Sequence, residues 1–154
     1  MSLVNVRIVD SVKYAAALNL VLSYKTAKSN DAEWRKRANA LVNAMPRMSR
    51  ADRTTADKTY AELGSMIRTN LPFAELGEKS NFALFNDLVW QEERTVQTDA
   101  DGNFTAEVPT GSWQIVALSK RKLIEEEEEY IWFVPVPDPP VGRILLNNSN
   151  LWGR

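Results

Sequence analysis

The chain has 154 residues, 44% of them hydrophobic and 25% charged, with a formal net charge of -1 and neither cysteine nor histidine. That length suits one well-buried core and is short for two, in a composition typical of soluble globular proteins. The missing residue types exclude disulfides, thiol nucleophiles, thiolate or imidazole metal sites and every histidine-based acid, base or triad, and the near-neutral charge argues against a dedicated nucleic-acid binder.

The charge is unevenly spread. Residues 1–80 hold 13 Lys and Arg against 8 Asp and Glu, and residues 81–154 hold 6 against 12. We read this as two differently built halves that attract each other, in preference to a basic patch for an external partner. No apolar run reaches the ~18 residues of a membrane span, and no signal-peptide order of basic, apolar and small residues opens the chain. We expect the sequence to be a piece of a longer protein, with Met1 to Leu3 partly extraneous and any signal or anchor lying outside it.

Val4, Val6 and Ile8 alternate with Asn5 and Arg7, which predicts a strand over 4–9, followed by Asp10 or Ser11 as a helix cap. Val12 to about Lys28 is rich in Ala, Leu and Val, with Asn19 and Ser23 as a narrow polar stripe, and predicts a largely buried helix. Asn30 with Glu33 has the form of a capping box for a second helix, whose stripe is Trp34, Ala38, Leu41, Val42 and Met45 before Pro46 bounds it. Ser49 with Asp52 caps a third, with stripe Ala56, Tyr60, Leu63 and Ile67, ended by Asn70 and Pro72. Asn81 to Gln91 fits either a short helix or an irregular strand.

Thr98 to Ala117 organises the second half. Asp101-Gly102 is a turn pair, because Gly takes positive φ freely. Phe104, Ala106 and Val108 then alternate with Thr105 and Glu107 up to Pro109, and after a second reversal at Thr110-Gly111 a further strand begins at Trp113 and runs to Leu118. Lys120 to Lys122 and Glu125 to Glu129 flank a solvated hairpin end. In the next strand Tyr130, Trp132 and Val134 point one way and Ile131 and Phe133 the other, so both faces need cover, one from an opposite sheet and one from the helices. Pro135, Pro137, Pro139 and Pro140 form a stiff extended link, and Arg143 to Leu146 reads as a last short strand before the Asn-rich end.

The run Thr98-Asp99-Ala100-Asp101-Gly102-Asn103-Phe104, followed by Val108-Pro109, Gly111 and Trp113, resembles the signature of the carboxypeptidase regulatory-domain-like family. The resemblance implies a small prealbumin-like (transthyretin-like) β-sandwich with Greek-key connections. It also implies a non-catalytic module of an envelope or secreted protein, outside the bacterial cytoplasm. The family's glycine-rich opening is absent here, and 12–71 reads as a helical insertion. The expected architecture is α+β: a single domain over 1–154 with a strand at 4–9, a three-helix insertion packed on one sheet, and the remaining sandwich strands over 82–147.

Asp99, Asp101 and Asn103 have the look of a calcium loop, but Gly102 comes too early and Thr110 stands where the twelfth-position glutamate belongs, so we read a hairpin turn and no metal site. Consecutive glutamates on a strand point to alternate faces and cannot converge on one cation. Arg35, Lys36 and Arg37 with Arg47, Arg50 and Arg53 are read as a solvated helical face. Trp34 and Trp113 suit cores, whereas Trp90, Trp132 and Trp152 are candidates for stacking on sugars. The expected function is a non-catalytic structural or protein-interaction module with a protein or envelope partner, without catalytic residues, cofactor, metal or nucleic acid. The alternative is a carbohydrate-binding module using those three tryptophans.

Overall fold

In the computed structural model the described residues are 4–88, 94–99, 101–138 and 143–153. The order of elements is β1 (Asn5–Asp10), α1 (Ser11–Ala44), a 3-10 turn (Met45–Arg47), α2 (Arg50–Gly77), α3 (Asn81–Asp87), β2 (Arg94–Gln97), β3 (Trp113–Lys122), β4 (Glu127–Pro135), a second 3-10 turn (Asn148–Asn150) and β5 (Leu151–Gly153). The fold is α+β, with one open antiparallel sheet in the order β2-β1-β3-β4-β5. The chain divides into two compact units, residues 1–19 with 81–154 and residues 20–80.

In the first unit the strand alternation sets two apolar faces. Val6 and Ile8 stand opposite Ala117 and Ile115, and these stand opposite Trp132 and Val134. On the other face Val116 and Leu118 pair with Phe133 and Ile131. This second face is covered by α3 and by the start of α1, where Phe85 and Tyr14 meet the Phe133 ring edge-on at 4.9 and 5.0 Å. Phe85 is fully buried, and Trp152 joins it at 5.4 Å. The helical cover expected for one face of β4 is present here, supplied by α3 and the start of α1; the opposite sheet expected for the other face is not found among the described residues, which form one open sheet.

Asp10 is the cap of α1, its Oδ1 accepting from the amides of Val12 at 2.9 Å and Lys13 at 3.2 Å. The two helices expected over 12–45 are one. Asn30 and Glu33 do not break the run, because neither Gly nor Pro occurs between Ser11 and Ala44 and a break would forfeit intrahelical hydrogen bonds that a cap alone cannot replace. Pro46 does end it, inside the 3-10 turn. Ser49 caps α2 by accepting from the Asp52 amide at 3.2 Å.

The second expected boundary is also corrected, since α2 continues through Pro72 to Gly77. Proline removes one intrahelical donor. The helix on either side of it is held against α1: Asn70 Nδ2 donates to the Ala27 carbonyl at 2.8 Å before the proline, and beyond it Phe73 stacks on Tyr24 at 6.5 Å and Lys25 Nζ donates to the Gly77 carbonyl at 2.9 Å. That ammonium satisfies a carbonyl at the helix C-terminus, where a cation is favoured. The second unit is thus an antiparallel helical hairpin whose buried positions include Ala27, Ala38, Ala56, Ala74 and Gly77, small residues that allow close approach.

Candidate functional site

Asp99 builds the turn that the Asp-Gly pair announces. Its Oδ1 accepts from the amides of Asp101 at 2.9 Å and Asn103 at 2.8 Å, and its own amide donates to the Asn103 carbonyl. These amide donors, the Asn103 amide foremost, hold the Asp99 carboxyl below the usual aspartate range against a smaller opposing effect of desolvation. The carboxylate is engaged by main-chain amides of its own turn. Gly102 takes φ +84°, as the turn requires.

Beyond the turn, Phe104, Ala106 and Val108 are half-buried while Thr105 and Glu107 are exposed, the alternation the sequence predicts. Yet among the described residues 103–109 forms no ladder. The segment is pinned instead by Arg94, whose Nη1 donates to the Glu107 carbonyl at 2.7 Å. The strand expected over Arg143 to Leu146 behaves in the same way: Ile144 and Leu146 are half-buried, Arg143 and Leu145 exposed, and no ladder forms among the described residues. Its end is fixed by a capping box in which Asn147 and Asn150 bind each other's main chain, with Asn150 Nδ2 also donating to the Leu145 carbonyl at 2.6 Å. Phe104, Ile144 and Leu146 pack on the cluster of Val6, Ile115 and Ala117.

These two extended segments and the sheet bound a cleft of about 620 Å³, with Ile8 and Ile115 contributed by the sheet. The volume lies within the ~300 to 1,000 Å³ usual for ligand sites. Its wall is apolar through Phe104, Ala106 and Ile144, and its polar lining includes Asp101, Asn103 and Arg143. Among the described residues, the amides of Phe104 to Val108 and of Ile144 to Leu146 make no hydrogen bond. The cleft thus combines apolar and polar side chains, with main-chain amides at its margins that bond to no described residue.

The three tryptophans named from sequence are not brought together. Trp132 is half-buried on the cleft-side face of the sheet, stacked on Tyr130 at 5.8 Å, with Nε1 donating to the Asn147 carbonyl at 3.1 Å. Trp152 lies on the opposite face beside Phe133 at 5.0 Å and remains 39% exposed. Trp90 lies outside the described residues. Trp113 opens β3 and is half-buried, its enclosed indole Nε1 finding no hydrogen-bond partner among the described residues, and Trp34 is half-buried on α1. Across the β3–β4 hairpin Lys120, Arg121 and Lys122 stand opposite Glu129, Glu128 and Glu127, and Lys120 Nζ reaches Glu129 at 3.1 Å and Glu127 at 3.6 Å. The charge blocks thus form a cross-strand ladder.

The cleft was not foreseen from sequence. Its signals were there, since Phe104 to Val108 and Ile144 to Leu146 both alternate, but the pattern does not tell a paired strand from an unpaired one. No described helix is long and apolar enough to cross a membrane. Comparison with protein-family models, with curated proteins and with solved structures gives no match for this chain.

Proposed function

We propose that this chain is a non-catalytic protein-interaction module whose cleft receives an extended segment of a partner protein. One observation carries the reading: two strand-like segments, 104–108 and 144–146, flank a cleft of mixed polar and apolar lining, and their main-chain amides bond to no described residue. Open strand edges are templates for another chain, and strand addition couples main-chain hydrogen bonds to pockets for alternate side chains. On this reading the fold is a prealbumin-like sandwich whose second layer a partner completes. The Asp-Gly turn, the Phe104 to Val108 alternation and the Val108-Pro109, Gly111 and Trp113 pattern support kinship with carboxypeptidase regulatory-domain-like modules, and with it an extracytoplasmic, envelope or secreted setting. Sugar binding is the weaker reading, since Trp132 and Trp152 lie on opposite faces and offer no common platform.

Selection from a displayed library of extended peptides alternating apolar and polar residues tests the proposal. Enriched peptides that bind the native chain but not Ala106→Arg, which fills the cleft wall from a segment outside the sheet, are the expected result. No enrichment, or equal binding to the variant, removes the cleft as a peptide site.

A further inference from the structure

We propose that the turn end of the α1–α2 hairpin docks on an anionic lipid surface. Charge is segregated along this hairpin. Residues 35–58 carry seven Lys and Arg against Asp52 and Asp57, a net +5, whereas the rest of the unit, residues 20–34 and 59–80, carries four against five acidic residues, a net -1. Two of the four cations away from the turn end have partners within the unit: Lys28 pairs with Glu78 at 2.8 Å and Lys25 binds the Gly77 carbonyl at 2.9 Å. At the turn end Arg35 pairs with Asp31 at 2.6 Å, but Lys36, Arg37, Arg47, Arg50, Arg53 and Lys58 make no ion pair with a described residue, and all are exposed. Nothing in the hairpin itself balances them.

The same end exposes apolar surface. Val42, in the last turn of α1, is 44% exposed, Pro46 is exposed, and Met45 and Met48 are half-buried in the connection. A short apolar turn ringed by unpaired cations is complementary to the boundary between anionic headgroups and acyl chains, where apolar side chains enter and Lys or Arg meet the phosphates. A single-stranded nucleic acid would call for aromatic side chains to stack its bases, and residues 35–59 contain none. This surface belongs to residues 20–80 and is independent of the cleft.

The test is co-sedimentation of the whole chain with vesicles of phosphatidylcholine alone or mixed with phosphatidylglycerol. The mixed vesicles should bind the chain with an affinity that falls as salt rises, and the neutral ones should not. The triple reversal Arg47→Glu, Arg50→Glu, Arg53→Glu should lower partitioning more than about tenfold, since each basic residue near such a surface adds to the attraction. Circular dichroism should show its helix content intact. Should that variant fail to fold, Lys36→Gln with Arg37→Gln, which leaves α2 untouched, must weaken binding in the same direction. The paired change Val42→Ser and Met48→Ser should also weaken binding while preserving the salt dependence. The proposal is overturned by failure to bind the mixed vesicles, by equal binding to neutral vesicles, by unchanged binding of the folded charge variants, or by duplex DNA being bound in preference to vesicles.

Discussion

Gly77 and Tyr24 meet main chain to main chain: a Cβ built on Gly77 would stand 2.2 Å from the Tyr24 carbonyl oxygen and 2.8 Å from the Lys28 Cβ. Helix propensity favours alanine over glycine by ~1 kcal/mol, but no side chain fits this approach. Gly77→Ala should therefore destabilise the hairpin by about 1 to 3 kcal/mol, the usual cost of overpacking. Gly64→Ala on the same helix meets nothing nearer than Arg68 Nη1 at 3.5 Å and should stabilise by up to ~1 kcal/mol. Urea unfolding of both variants should give opposite signs; the same sign in both would contradict the close crossing.

Phe85 tests whether α3 is part of the sheet's core. It is fully buried and contacts both Phe133 and Trp152 edge-on. Its replacement by Ala should cost about 3 to 5 kcal/mol and broaden the side-chain NMR signals of Phe133 and Trp152. A loss below ~1 kcal/mol would detach α3 from that face.

Asp99 gives the turn a pH dependence of defined sign. Its folded carboxyl titrates below the ordinary range, chiefly because it accepts from the Asn103 amide. The stabilisation it supplies is fully present above the unfolded value of about 3.9 and is lost as pH falls through the lower folded value. The stability gap between the native chain and Asp99→Ala should thus be constant near neutrality and narrow in strongly acidic solution. Parallel acid limbs would show that the carboxylate does not hold the turn.

Much of this fold was legible where one residue carries a local physical consequence. Asp10 as one of two candidate caps, Pro46 as boundary, the Asp-Gly pair as a turn and the two-faced β4 strand read correctly, whereas the paired strand expected after that turn is not found among the described residues. Errors arose where tertiary contacts overrode a local signal. The capping box at Asn30 and Glu33 lost to an uninterrupted helix, and Pro72 was carried by the Tyr24, Ala27 and Lys25 contacts that hold α2 on either side of it. Strand β5, three residues long, is too short for a period to show, and its position follows from the Asn147–Asn150 box. The cleft was illegible for a different reason: Phe104 to Val108 and Ile144 to Leu146 carry the alternation of paired strands, and pairing is a property of neighbours.

The main-chain edges of Phe104 to Val108 and Ile144 to Leu146, whose amides bond to no described residue, carry the proposed function most directly. NMR of the labelled chain titrated with a short peptide alternating valine and threonine, and with its counterpart N-methylated at alternate residues, measures them. N-methylation deletes donors without removing the apolar side chains. The account predicts shifts and slowed hydrogen exchange at the amides of Phe104 to Val108 and Ile144 to Leu146 with the unmodified peptide, and their absence with the methylated one. Equal effects from both peptides, or shifts confined to β2 or β5 instead of the cleft, would contradict it.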